Sequence, residues 1–186
     1  MAGTFAIRKA AQIIEAGGIV AYPTEAVWGL GCDPLDVDAL EALIAIKNRD
    51  PERGFILIGA ELEHIQPFLT HLEEETIARI APSWPGPVTW ILPANPAVPN
   101  LLTGWRSTIA VRVTAHPLAS ALCRETDSAI VSTSANRSGG PAARNVHAVR
   151  RMFQSQIDYV LPGSVGGDPR PTEIRDGRTG EVLRQA

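Results

Sequence analysis

Strand-like and helix-like segments alternate along the whole of this chain, which predicts an α/β fold. Three observations carry that expectation. Apolar residues at helical spacing over 5–15 stop at Gly17-Gly18 and give way at once to the apolar run Ile19-Val20-Ala21-Tyr22. Phe55-Ile56-Leu57-Ile58 is a second continuous apolar run, as expected of a central strand buried on both faces. Several strand-like runs also follow one another too closely for a crossover helix, so the sheet should be twisted and mixed, with parallel and antiparallel pairs.

The first helix covers about Phe5 to Glu15, with Ile7, Ala10, Ala11 and Ile14 on one face. The strand that follows runs into Pro23-Thr24. Asp36 or Asp38 can cap the second helix, which turns Leu40, Leu43 and Ile44 inward and ends near Lys47. Glu73 to Ala81 reads as a helix ended by Pro82 and Pro85. Val88 to Leu92, Ile109 to Val113 and Ala129 to Thr133 read as strands, with a helix near Leu118–Arg124 between the last two. Val146 to Phe153 is a further helix, followed by the short strand Tyr159-Val160-Leu161. In the tail, Thr172–Arg175 and Val182–Arg184 read as two strands around the turn Asp176-Gly177-Arg178-Thr179-Gly180.

With 186 residues, of which 45% are apolar and 20% charged, a single soluble domain over 1–186 is expected. The net charge of −3 excludes a nucleic-acid signature for the chain as a whole, so any RNA contact needs a local patch. Cys32 and Cys123 are too few and too far apart for a disulfide framework or a zinc set, and read as small buried residues in a reducing compartment. His64, His71, His116 and His147 lack metal-ligand spacing. No signal-peptide pattern opens the chain and no apolar run approaches the ~20 residues that cross a bilayer, so a cytoplasmic location is expected.

Several chemistries are missing. The chain has no G-x-x-x-x-G-K-[ST] loop, no G-x-G-x-x-G after the first strand and no G-x-S-x-G elbow. Nothing pairs Ser132 or Ser134 with a particular histidine. Asp33, Asp36 and Asp38 read as turn and cap residues in preference to Mg²⁺ ligands.

Two polar clusters remain. The chain has only two lysines against fifteen arginines, and one of the two opens the run Lys47-Asn48-Arg49, with Arg53 close behind. A compact ammonium suits phosphate oxygens and a guanidinium is a flat bidentate fork. The same charges also suit the solvated C-terminal end of a helix. Downstream, Ser132-Thr133-Ser134-Ala135-Asn136, then Gly139, Gly140 and Arg144, supply hydroxyl and amide groups. Together the clusters read as two walls of a site for a polyphosphate and a small polar substrate.

Five stretches then fall in order: Gly18 to Glu25 with Trp28-Gly29-Leu30; Lys47-Asn48-Arg49; Trp84-Pro85-Gly86-Pro87-Val88-Thr89; Thr108-Ile109-Ala110-Val111-Arg112; and Ser132 to Asn136. This pattern resembles the YrdC family of threonylcarbamoyl-AMP synthases, with its Pro-Thr-Glu strand end, Lys-x-Arg and distal Ser-x-Asn. The ending Pro171-Thr172-Glu173-Ile174-Arg175-Asp176, then Leu183-Arg184-Gln185, resembles the short single-domain bacterial (TsaC) type. The resemblance implies a mixed sheet with surrounding helices and an open, positively charged groove. It implies a reaction of L-threonine, bicarbonate and ATP to threonylcarbamoyl-AMP and pyrophosphate, feeding threonylcarbamoyladenosine formation beside the tRNA anticodon. ATP enters as a substrate with Mg²⁺, and no prosthetic group is expected. Direct tRNA contact and transfer to a downstream threonylcarbamoyl-transferase complex are further family expectations.

Residue by residue, the resemblance assigns Lys47 and Arg49 to neutralising the triphosphate, with Arg53 assisting. Ser134 would hold the threonyl-carbamate end and Asn136 the nucleotide. Thr24 and Thr172 match threonine-side positions, Arg112 the grip on the substrate carboxylate, and Thr108, Arg144 and Arg184 nucleotide contacts. Each has a plainer reading too. Thr24 can satisfy strand-end backbone groups, Ser134 and Asn136 can be loop caps, and Arg112, Arg144 and Arg184 can be surface cations. Trp84, Trp90 and Trp105 read as packing or surface aromatics.

The chain departs from many relatives where Asp50 follows Arg49 in place of proline, and where Ile58 stands in place of the histidine some longer relatives carry. It lacks their extra C-terminal domain, so any lid over the nucleotide must come from elsewhere. The competing class is a non-catalytic RNA-binding module using Lys47, Arg49, Arg53, Arg137 and Arg144, whose binding would weaken steeply with salt. A carbamoyl-phosphate-using regulatory domain of the same fold is a third reading.

Overall fold

The computed structural model describes residues 3–153, 155–167 and 172–185. Helix α1 (Thr4–Glu15) buries Ala10, Ala11 and Ile14, the stripe its spacing predicts. The chain then enters β1 (Val20–Pro23), which pairs antiparallel with β2 (Trp28–Gly31). Asp36, and not Asp38, caps α2 (Val37–Lys47), its carboxylate accepting from the Ala39 N–H at 3.0 Å. Asn48 ends that helix in the left-handed conformation, at φ 48°.

The remaining elements are β3 (Ile56–Gly59), α3 (Leu62–Ile65), α4 (Glu74–Ile80), β4 (Val88–Pro93), α5 (Asn100–Thr103), β5 (Thr108–Val113), α6 (Pro117–Glu125) and β6 (Ile130–Ser134). They continue as α7 (Val146–Phe153), β7 (Tyr159–Val160), β8 (Glu173–Asp176) and β9 (Val182–Arg184). Strand β2 and the short helices α3 and α5 were not legible in the sequence. In β2 two of four residues are glycine, which lowers strand propensity.

The strands form one sheet in the order β7-β1-β2-β6-β3-β5-β4-β8-β9. The β1–β7, β3–β5 and β4–β8 pairs are parallel and the others antiparallel, so the sheet is mixed, with β3 at its centre. One face packs Trp28, Leu30, Leu57, Val111 and Val131 against Leu40 and Leu43 of α2 and Phe153 of α7. The other packs Val20, Tyr22, Ile58 and Ile130 beneath α1 and α6. Full burial of each such side chain stabilises the fold by ~1.5–3 kcal/mol. Cys32 and Cys123 are both free and buried, one on each side of the sheet. No helix among the described residues is long and apolar enough to cross a membrane.

Of the two glycines of β2, Gly31 is a steric necessity. A Cβ on Gly31 would stand 2.3 Å from the Val131 carbonyl oxygen and 2.8 Å from the Tyr22 ring. That ring is fully buried and its hydroxyl donates to the Val131 carbonyl at 3.1 Å. Gly31→Ala is therefore expected to destabilise the protein by ~1–3 kcal/mol through overpacking. A melting temperature within a degree of wild type would contradict this packing.

On the second face the chemistry changes along each strand. The positions of β6 that face α1 and α6 run Ile130, Ser132, Ser134. Register sets Ser132 beside Ile56 and Ser134 beside Gly29, while Arg112 lies beside Ile58. The apolar floor thus becomes polar toward one end of the sheet, and there an open groove lies.

Candidate active site

The groove has a volume of about 520 Å³, within the range that holds a nucleotide-sized ligand. Gly29, Ser132, Ser134, Ile56 and Arg112 contribute its floor. Arg49, Arg53, Arg144 and Arg184 stand with Arg112 among its lining residues, against one carboxylate, Glu25, among the described residues. Of the residues expected from sequence, Thr24, Arg49, Arg53, Arg112, Ser134, Arg144, Thr172 and Arg184 come together here from six separate stretches of chain. Lys47, Thr108 and Asn136 do not line it. Thr108 opens β5 opposite Pro93 and stays on the ladder. Trp84, Trp90 and Trp105 stay off the lining as well: Trp90 packs in the core and Trp105 is 56% exposed elsewhere on the surface.

Lys47 departs furthest from its expected position. It is neither a solvated helix end nor a groove cation, being only 1% exposed. Its ammonium donates to the carbonyl oxygens of Ser134 and Asn136, and to Asn136 Oδ1 at 3.2 Å. The Ser138 N–H returns a bond to the Lys47 carbonyl at 2.9 Å, so the end of α2 and the 134–138 loop are stitched together. Burial, with Arg49 and Arg53 nearby, pushes the ammonium down to about 7. Asn136 completes the loop: Oδ1 accepts from the Ser134 hydroxyl at 2.7 Å and Nδ2 donates to the Gly140 carbonyl at 2.6 Å. The Ser134 proton is thereby directed away, leaving its oxygen lone pairs for the groove.

Arg49 is fixed from the other side. Its guanidinium donates to the Gly54 carbonyl through Nε (3.2 Å) and Nη2 (2.8 Å) and lies 5.3 Å from the centre of the Phe55 ring. Gly54 adopts φ +56°, and a Cβ there would stand 2.8 Å from the Leu102 carbonyl oxygen, a place no side chain fits. On the far wall Arg184 Nη2 donates to the Thr172 carbonyl at 2.7 Å.

Arg112, one of whose plainer readings is a surface cation, is buried at 5% exposure. Its Nη1 lies 2.7 Å from Glu25 Oε2. Glu25 Oε1 accepts from the Thr114 hydroxyl at 2.7 Å and from the Ala115 N–H at 3.1 Å. Burial alone would raise the Glu25 carboxyl, but Arg112 and Thr114 outweigh it and hold the group below its ordinary value. Thr24 donates its hydroxyl to the Val27 carbonyl at 2.7 Å, closing the β1–β2 turn that carries Glu25. His116 stands behind: Nδ1 caps α6 at the Ala119 N–H, and Nε2 meets the Ser164 carbonyl at 3.1 Å.

Sequence reasoning named Ser132 and Thr133 only as part of the polar cluster and gave no role to Glu25, although all three line the groove. The period-two rule could have found Ser132, since it shares a face with Ser134. Nothing local could have found the Glu25–Arg112 contact, which joins residues far apart in the chain.

The family model Sua5/YciO/YrdC, described as telomere recombination, matches residues 12–186. A threonylcarbamoyl-AMP synthase of Nitrosococcus oceani is 53% identical, over 96% of this chain and 96% of its own. The structure of P. abyssi Sua5 complexed with L-threonine superposes with a TM-score of 0.89 at 33% identity, covering 96% of this chain. This chain spans 53% of that Sua5 chain's length. E. coli YciO superposes with a TM-score of 0.86 at 26% identity, over 98% of this chain and 90% of the other.

Proposed function

Because the chain belongs to the Sua5/YciO/YrdC family, we propose that this groove condenses L-threonine, bicarbonate and ATP into threonylcarbamoyl-AMP and pyrophosphate. The observation that carries the reading is the lining itself, five arginines around the Ser132–Ser134 hydroxyls with one carboxylate. Such a wall suits a polyanion that gains leaving-group charge during reaction.

The chemistry needs placement and charge neutralisation, with no enzyme nucleophile. Carboxylation of the threonine amine gives a carbamate, whose oxygen attacks the α-phosphorus of ATP and expels pyrophosphate. Arg49, Arg53, Arg144 and Arg184 neutralise the triphosphate, and Arg112 takes the threonine carboxylate. Thr24 and Thr172 lie on the threonine side. Ser134 accepts from the carbamate N–H, with Asn136 and Lys47 fixing its loop. Among the described residues no cluster of three His, Cys, Asp or Glu side chains can hold a metal. Glu25 is already engaged, so the donor set does not fit a protein-held ion, and Mg²⁺ accompanies ATP as part of the substrate. The product serves threonylcarbamoylation of tRNA beside the anticodon, through a downstream transferase complex that receives it.

Pyrophosphate release by the purified protein should require ATP, L-threonine and bicarbonate together. Ser134→Ala should lower the rate by ~10²-fold through lost positioning with little change in melting temperature, since Ser134 is exposed. Folded, ATP-binding protein that releases no pyrophosphate with all three substrates would overturn the reading.

A further inference from the structure

The threonine side of the groove depends on one short turn. Thr24, Glu25, Ala26 and Val27 join β1 to β2, and all four line the groove. This turn is gripped from behind at two points. The Thr114 hydroxyl and the Ala115 N–H donate to Glu25 Oε1 at 2.7 and 3.1 Å. The Gly166 N–H donates to the Thr24 carbonyl at 3.0 Å. Gly166 lies so close that a Cβ on it would stand 3.2 Å from the Glu25 Cα and carbonyl oxygen. It belongs to a strap, residues 162–167, that follows Leu161 and is exposed except at Val165.

His116 touches both grips. It is 4% exposed, and its backbone N–H donates to Thr114 Oγ1 at 3.2 Å, which turns the hydroxyl proton toward Glu25. Its ring reaches the strap. Nδ1 accepts from the Ala119 N–H at 3.4 Å, so the ring proton sits on Nε2 and is donated to the Ser164 carbonyl at 3.1 Å. Burial holds the ring below its ordinary value, and the neutral form it favours is the one both bonds require. The first bond caps α6 and serves stability. The second holds the carbonyl of an exposed residue, which water can satisfy nearly as well, so it adds little to folding. What it fixes is the place of the strap against the turn.

We propose that His116 is a positioning residue for L-threonine: through the strap it seats the β1–β2 turn, and with it Thr24, at the amino-acid end of the groove. This assignment rests on the synthase reading. Phosphate-side groups have other anchors. The Arg49 guanidinium is held by the Gly54 carbonyl, and the Arg53 main chain by Arg106. ATP should therefore not sense the change.

Two substitutions separate the two bonds of the ring. Asparagine sets its Oδ1 near the place of Nδ1, and glutamine its amide nitrogen near the place of Nε2. His116→Asn should keep the cap, and its melting temperature should stay within about 2 °C of wild type. Calorimetry should show it binding L-threonine ~3–10-fold more weakly, the worth of one neutral hydrogen bond, with ATP affinity unchanged. His116→Gln should do the reverse, melting about 2–4 °C lower for want of the cap while it binds L-threonine as wild type does. Wild-type threonine affinity in His116→Asn would overturn the proposal, and so would an equal weakening of threonine and ATP. Loss of threonine affinity in His116→Gln as large as in His116→Asn would equally overturn it, since the Ser164 bond would not be the cause. Wild-type protein that binds ATP and no L-threonine would instead overturn the synthase reading itself.

Discussion

Lys47→Met is expected to stop pyrophosphate release and to lower the melting temperature together. Methionine keeps much of the side-chain volume but removes all three donors that hold the 134–136 loop. Each buried acceptor left without a partner costs about 1–3 kcal/mol. The relieved desolvation of the ammonium offsets part of that, for a net loss of ~2–4 kcal/mol. For a domain of this size each kcal/mol lowers the melting temperature by about 2–4 °C. The rate should fall at least ~10²-fold, because small displacements of a positioned group cost that much. The loss should appear in kcat more than in KM for ATP, since Lys47 acts through Ser134 and Asn136 and does not line the groove. A variant with wild-type kcat would show that the loop needs no such clamp.

The same residue gives a pH dependence of definite sign. Burial, with Arg49 and Arg53 nearby, lowers the folded-state ammonium to about 7, below the ordinary lysine value of about 10.4. The unfolded chain therefore binds more protons between these values, so the stability of wild type rises with pH across that window. Below about pH 7 both states are protonated and the burial penalty is present in full. Lys47→Met lacks this term, so its stability relative to wild type should deteriorate from pH 7 to 10. A constant difference between the two proteins would show that Lys47 keeps an ordinary affinity for its proton.

Arg112→Met should be the more damaging change to the threonine side. It leaves Glu25 buried against the groove wall without its counter-charge, at a cost of about 3–5 kcal/mol. Activity should fall by ~10²–10³-fold, the loss expected when one partner of a buried charge contact is removed. The double variant Glu25→Gln/Arg112→Met should regain most of the stability and none of the activity. The pair separates folding from chemistry: a double variant no more stable than Arg112→Met would show that the two charges do not interact. Because Glu25 is held below its ordinary value in the folded protein, the stabilisation is complete above the usual carboxylate range. It is lost as pH falls through and below that range. Arg112→Met should lose this acid sensitivity.

Much of this molecule was legible from periodicity and composition. Helices α1, α2, α6 and α7 announce themselves through apolar spacing and their caps, and β1, β3, β4, β5 and β6 through continuous apolar runs. The mixed sheet follows from short strand separations. Strand β2 was not legible, because Gly29 and Gly31 carry no strand signal, and Gly31 is required by the Val131 carbonyl and the Tyr22 ring that close on it in space. In the groove, the arginines and the Ser-x-Asn segment were identifiable by residue type. Thr108, assigned a nucleotide contact, pairs with Pro93 on the ladder and is not among the groove's lining residues.

Sequence by itself determined the α/β class, the identity of the groove's arginines and several of its hydroxyl residues, and the family, because each is written in local spacing or in contiguous motifs. Tertiary structure alone decided what those residues face. Lys47 turns from a cation at a helix end into a buried clamp because the 134–136 loop presents three oxygens to it. Arg112 becomes half of a buried charge contact because β5 sets it against a carboxylate from the β1–β2 turn. Burial and long-range charge set both outcomes, and these depend on which segments meet in space, a property that no window of sequence contains.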